Sequence, residues 1–174
     1  MERAANLRLP FKALTLPSES IWWQAGPALH RLPELARGAL SGPVQEDKAD
    51  AHAMLIRLVE VERCQLDSID LRKVDGLCGS DTTKANHPSF EALLNDLGQR
   101  QVRIISYKDF VKTISLALPR FLAGEPISLR QASWRGERVF WTGEHHSESF
   151  ACAIAYARRR ELEVNLPAEL SHYR

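Results

Sequence analysis

An α+β fold, a small mixed sheet with three to four helices, is predicted by three observations on this 174-residue chain. Strand-like alternation and helix-period apolar spacing take turns from residue 54 onward. Five of the nine prolines crowd into residues 1–43. The last third reads as strand, turn, helix and strand.

Residues 1–44 form a Pro-rich aromatic arm that packs on the core or on a partner. Pro10, Pro17, Pro27, Pro33 and Pro43 forbid a long helix, because each lacks a backbone donor. Phe11, Leu14, Leu16, Ile21, Trp22 and Trp23 are too apolar for a solvated tail. A short helix fits Pro27 to Leu40, with Pro33 kinking or restarting it. The polar run Gln45 to Asp50 reads as a linker to a single core domain over 52–174.

In that domain, residues 54–63 alternate charged with aliphatic positions and suit a strand, and a second short strand fits 68–74. The glycine- and hydroxyl-rich stretch 75–87 reads as a surface loop, with Asp75, Asp81, Asn86 and His87 as scattered polar groups that match no metal-binding spacing. Pro88 opens a helix with apolar positions Phe90, Leu93, Leu94 and Leu97, closed by Gly98. Residues 101–105 suit a strand. Ser106 and Asp109 form a capping box for a helix whose stripe is Phe110, Ile114, Leu118 and Phe121. Residues 127–133 and 138–142 make a hairpin around Arg135-Gly136, a helix covers 147–160, and 162–166 supply the last strand.

With 23 Lys+Arg against 22 Asp+Glu, the chain lacks the basic excess of a polycationic nucleic-acid binder. Its 44% apolar content excludes global disorder. No apolar run approaches the ~20 residues of a membrane span, so no membrane partner is expected. Arg8, Pro10 and Lys12 interrupt any secretory h-region. Cys64, Cys78 and Cys152 cannot all pair and show no C-x-x-C spacing, which fits a reducing, cytoplasmic setting. Cys152 falls on or beside the apolar side of the last helix and reads as an inert buried thiol.

Chemistry concentrates in the turn Gly143-Glu144-His145-His146-Ser147, between strand and helix. Free N–H groups and the helix dipole there favour an anion, and Glu144, His145 and His146 offer acid–base side chains. Against that, adjacent histidines in extended chain diverge, and Ser147 is an ordinary N-cap. No metal site is expected, and no cofactor can be named. A second feature is the set Arg135, Arg138, Trp134 and Trp141, near the arginine run that includes Arg158. Arginine with aromatics suits a protein hot spot or single-stranded nucleic acid, although arginines at a helix end also serve its dipole. In the third, Trp22 and Trp23 cannot both face inward if the segment is extended, which leaves one for a partner or second copy of the chain. A turn would let both reach the core.

The order of hairpin, Gly143-Glu144-His145-His146, alanine-bearing helix and strand Leu162-Glu163-Val164 resembles the core of the ParB/sulfiredoxin superfamily over residues 126–167. That resemblance implies that Gly143, Glu144 and His145 line a nucleotide-phosphate pocket. The arginine usual in that turn is absent here, His146 and Ser147 standing in its place. The leading expectation is therefore a non-enzymatic binding or regulatory protein that meets a protein partner, or a nucleic acid, through the Arg/Trp surface and the aromatic arm. A homodimer is compatible with it. The alternative is a ParB/sulfiredoxin-like nucleotide-binding protein, or a phosphoryl-transfer or nuclease enzyme, using the 143–147 turn with Arg158 adding charge.

Overall fold

The computed structural model describes residues 20–40, 42, 44–78, 86–98 and 102–174. It is α+β. Five strands, β1 (Val61–Asp70), β2 (Val74–Leu77), β3 (Ile127–Ala132), β4 (Val139–Trp141) and β5 (Asn165–Tyr173), form one mixed sheet in the order β1-β5-β3-β4-β2. Pairing is antiparallel between β1 and β5 and between β3 and β4, and parallel between β5 and β3 and between β4 and β2. The helices are α1 (Gln45–Leu55), α2 (Phe90–Leu97), α3 (Tyr107–Ala117) and α4 (Ser147–Arg159).

Period-2 alternation divides the sheet into two covered faces. Ile127 and Leu129 of β3, Trp141 of β4 and Leu166 and Ala168 of β5 meet Phe90, Phe110, Ile114, Phe150 and Ile154 of α2, α3 and α4 in the main core. Ala132, Phe140 and Tyr173 turn the other way and gather with Trp23, Val59 and Cys78. Of the described arm, Trp23 joins this second cluster with Leu32 packed against it, while Ile21 and Trp22 join the main core. The capping box at Ser106 and Asp109 forms as expected, each side chain accepting from the other residue's backbone N–H. The β3–β4 hairpin and Phe90–Leu97 also form as the sequence reading predicts, with Ser89 as N-cap.

Several elements depart from expectation for identifiable reasons. The supposed linker 45–50 is the first half of α1, rich in good helix formers with Glu46 and Asp47 in its first turn. No residue of α1 is buried, so it carries no apolar period to read. The first strand starts at Val61 rather than 54 and runs to Asp70. Its VERCQLDSID sequence is polar because β1 is an edge strand, exposed along most of its length. Asp75, expected in a loop, lies in β2. The expected helix over 27–40 is instead two 3-10 turns, Leu29–Glu34 with Pro33 inside it and Arg37–Ala39, separated by extended Leu35 and Ala36.

Residue 101 of the expected strand 101–105 lies outside the described residues, as does Asp81, and residues 102–105 have no regular structure. The last strand begins at Asn165, after the 162–166 prediction is half over. Glu161 explains the delay. It takes a left-handed conformation, φ 53°, its N–H bonds to Arg158 O, and Leu162 N–H bonds to Ala157 O at 2.8 Å. That is a Schellman closure of α4 with glutamate in the usual glycine position.

Candidate functional site

The turn between β4 and α4 does not gather its polar side chains. Glu144, His145 and His146 are all exposed. His146, at φ 57°, is the N-cap of α4 and uses its carbonyl to accept Phe150 N–H, whereas Ser147, expected to cap, is the first helical residue. Among the described residues, no three His, Cys, Asp or Glu side chains stand together as metal ligands. Gly143 has a packing reason. A Cβ at this position would overlap the six-membered ring of Trp141, which itself stacks on Phe150 at 4.2 Å and 10°. The turn thus lets a buried indole lie flat beneath the start of α4.

The Arg/Trp set is occupied by the chain itself. Trp141 is 4% exposed. Arg135, 8% exposed, donates to Ser20 O and Trp22 O at 2.9 and 3.0 Å and sits over the Phe140 ring. Burial, and then the nearby charge of Arg138, holds the Arg135 guanidinium below its ordinary pKa. Arg138 donates to Ser20 O and Asp75 O, and Trp134 is half-buried beside Tyr173. These arginines strap the arm to the sheet; they do not present a free basic surface.

Of the two readings of Trp22 and Trp23, the structure shows the one in which both are buried, with a 3-10 turn starting at Trp23. Ser20–Trp22 runs along the outer edge of β2, with Leu77 N–H bonding Ile21 O and Ile21 N–H bonding His87 O. Trp22 enters the main core and Trp23 the second cluster, at 7% and 4% exposure. Alternation still holds; both faces are covered. Each indole N–H meets a histidine at 3.4 Å, Trp22 with Nδ1 of buried His87 and Trp23 with Nε2 of His30. His87, expected in a surface loop, instead bridges Trp22 to Asp96.

A cavity of a different kind lies elsewhere, between α2, the irregular segment 102–104 and the outer side of α4. It is a cleft of about 700 Å³. Leu94, Ile104, Ala155 and Tyr156 supply its apolar wall, and Cys152 faces it from α4. Burial pushes the Cys152 thiol pKa up, which makes it a poor nucleophile. Arg158 forms one side. Its guanidinium bonds Arg72 O and Val74 O at 2.9 and 2.8 Å, pairs with Glu91 at 3.6 Å, and lies over the Phe90 ring. Arg103 and Arg159 are exposed at the cleft and have no ion-pair partner among the described residues. Of these, only Arg158 was singled out from sequence as a ligand-binding residue. The rest belong to three segments that nothing in the sequence marks as neighbours. A smaller cavity of about 230 Å³ adjoins Gly143 and Thr142, walled chiefly by Leu118, Pro119, Phe121 and Pro126.

The architecture defines a class: a mixed five-stranded α+β domain with α2, α3 and α4 on one face and an arm whose two tryptophans enter the clusters on both faces. Within it, the chain belongs to the family described as a family of unknown function, DUF6685, which matches residues 64–174. No curated protein and no solved structure matches the chain. The family region begins inside β1 and takes in the rest of the sheet, so the arm and α1 lie outside it. Among the described residues, no helix is long and apolar enough to cross a membrane.

Proposed function

We propose that this chain is a non-enzymatic binding protein whose ligand is an organic anion with an apolar body, held in the cleft between α2 and α4. The cleft carries the reading. Its volume of about 700 Å³ lies within the range of small-molecule sites. Leu94, Ile104 and Tyr156 would cover the apolar body, and Arg103 and Arg159 would meet a carboxylate or phosphate head. Arg158 adds positive potential, but its donors are taken by carbonyls and Glu91, so its part is to hold the wall. A reducing, cytoplasmic setting is supported by three free thiols, one of them the exposed Cys64.

Octanoate and phenyl phosphate are suitable probes, with inorganic phosphate and benzyl alcohol as controls. Both amphiphiles should raise the melting temperature, the controls far less. Arg159→Glu should weaken both, and Leu94→Trp should fill the cleft and abolish binding. Stabilisation that survives both substitutions would remove the cleft from the proposal. ATP and CTP form the competing arm. A response to either that Glu144→Ala and His145→Ala abolish would favour the ParB/sulfiredoxin-like reading of the turn.

A further inference from the structure

The two edges of the sheet are treated differently. Ser20–Trp22 covers the β2 edge, while β1 has only β5 as a strand partner among the described residues. Glu60 and Arg174 exchange both backbone hydrogen bonds, at 2.8 and 2.9 Å. Alternation then turns the N–H and C=O groups of Glu62, Cys64 and Leu66 toward β5 and those of Val61, Arg63 and Gln65 outward. An exposed edge is a template for another strand, and charges on it ordinarily deter pairing. On β1 the edge carries both signs, Arg63 and Asp67 standing four residues apart.

We infer that β1 pairs antiparallel with β1 of a second copy, about a twofold axis at Gln65, joining two sheets into one. Arg63 and Gln65 lie on one face of the strand, Asp67 follows them at the start of the irregularity, and all three are exposed. With Gln65 on the axis, Gln65 faces Gln65 of the partner subunit, Arg63 faces Asp67 of the partner subunit, and the reciprocal pair repeats the contact. Opposite charges directly across an antiparallel pair stabilise it, and like charges destabilise it. Moving the axis to Arg63 sets that arginine against its own copy, and moving it to Cys64 leaves Arg63 without its carboxylate. The regular run of β1 is Val61–Leu66, and Asp67 stands at its end, where the irregularity between Leu66 and Ile69 begins. The interface is isologous, as a twofold dimer requires.

Sedimentation of the full chain at about 100 µM should give a dimer. Arg63→Asp and Asp67→Arg should each weaken it by roughly tenfold or more, and R63D/D67R together should restore it. In a Cys64→Ser background, Q65C should yield a disulfide-linked dimer under mild oxidation, since the two introduced thiols face each other; Cys78 and Cys152 are buried. A monomer at that concentration, a dimer indifferent to either charge reversal, or a double variant that stays dissociated would overturn the inference. Circular dichroism of each variant separates loss of pairing from loss of fold.

Discussion

Trp23 donates its indole N–H to Nε2 of His30 across 3.4 Å, the two rings meeting edge to face at 5.2 Å. The contact needs a neutral imidazole, because a protonated ring has no lone pair to accept. Partial burial, then the charges of Arg130 and Arg31, hold the His30 pKa below its ordinary 6.5. Above that value neither the folded nor the unfolded chain binds the extra proton. Below it the unfolded chain binds the proton first, so stability is lost as the pH falls. The melting temperature should therefore drop as pH is lowered through 6.5, and His30→Gln, which keeps an acceptor and does not titrate, should flatten that slope. Equal slopes in both proteins would assign the effect to other groups.

Glu161 occupies the left-handed closing position of α4 at φ 53°. Glycine adopts that conformation without a Cβ penalty, so Glu161→Gly should stabilise the chain by about 1 kcal/mol in urea unfolding. Glu161→Ala keeps the Cβ and should gain nothing comparable.

Gly143 and its neighbours should separate cleanly. Gly143→Ala forces a Cβ into the Trp141 ring and should cost roughly 1–3 kcal/mol. His145→Ala and Glu144→Ala, at exposed positions, should stay within about 0.5 kcal/mol. Chemical denaturation of the three variants tests this.

Arg135 holds two carbonyls of the arm with one guanidinium. A lysine is shorter and lacks the planar group that lies over Phe140 while reaching both carbonyls, so Arg135→Lys should destabilise by about 1.5–3 kcal/mol and speed proteolysis within residues 24–40. Unchanged cleavage there would mean that Trp22 and Trp23 hold the arm unaided.

What was legible in the sequence is what local chemistry determines. Ser106 and Asp109 cap a helix through contacts three residues apart, and Phe90, Leu93 and Leu97 mark a helix by spacing alone. By contrast, α1 and β1 were misread because neither buries a continuous face, and periodicity reports burial rather than backbone conformation. The two tryptophans stay undecided in the sequence for a related reason: alternation tells which sides they face, but not that both sides are covered. The residues of the candidate site escaped detection because Leu94, Arg103 and Arg159 come together only when the chain has folded.

The boundary at residue 64 now acquires a practical meaning. A fragment cut there would keep the α4 side of the sheet yet forfeit an indole from each layer and strip the guard strand from β2. Such a fragment would expose adhesive backbone and two vacated aromatic sockets, conditions that favour aggregation over a soluble minimal unit. Sequence similarity and packing thus divide this protein at different places, since the buried layers of the described fold draw on residues from Ser20 onward.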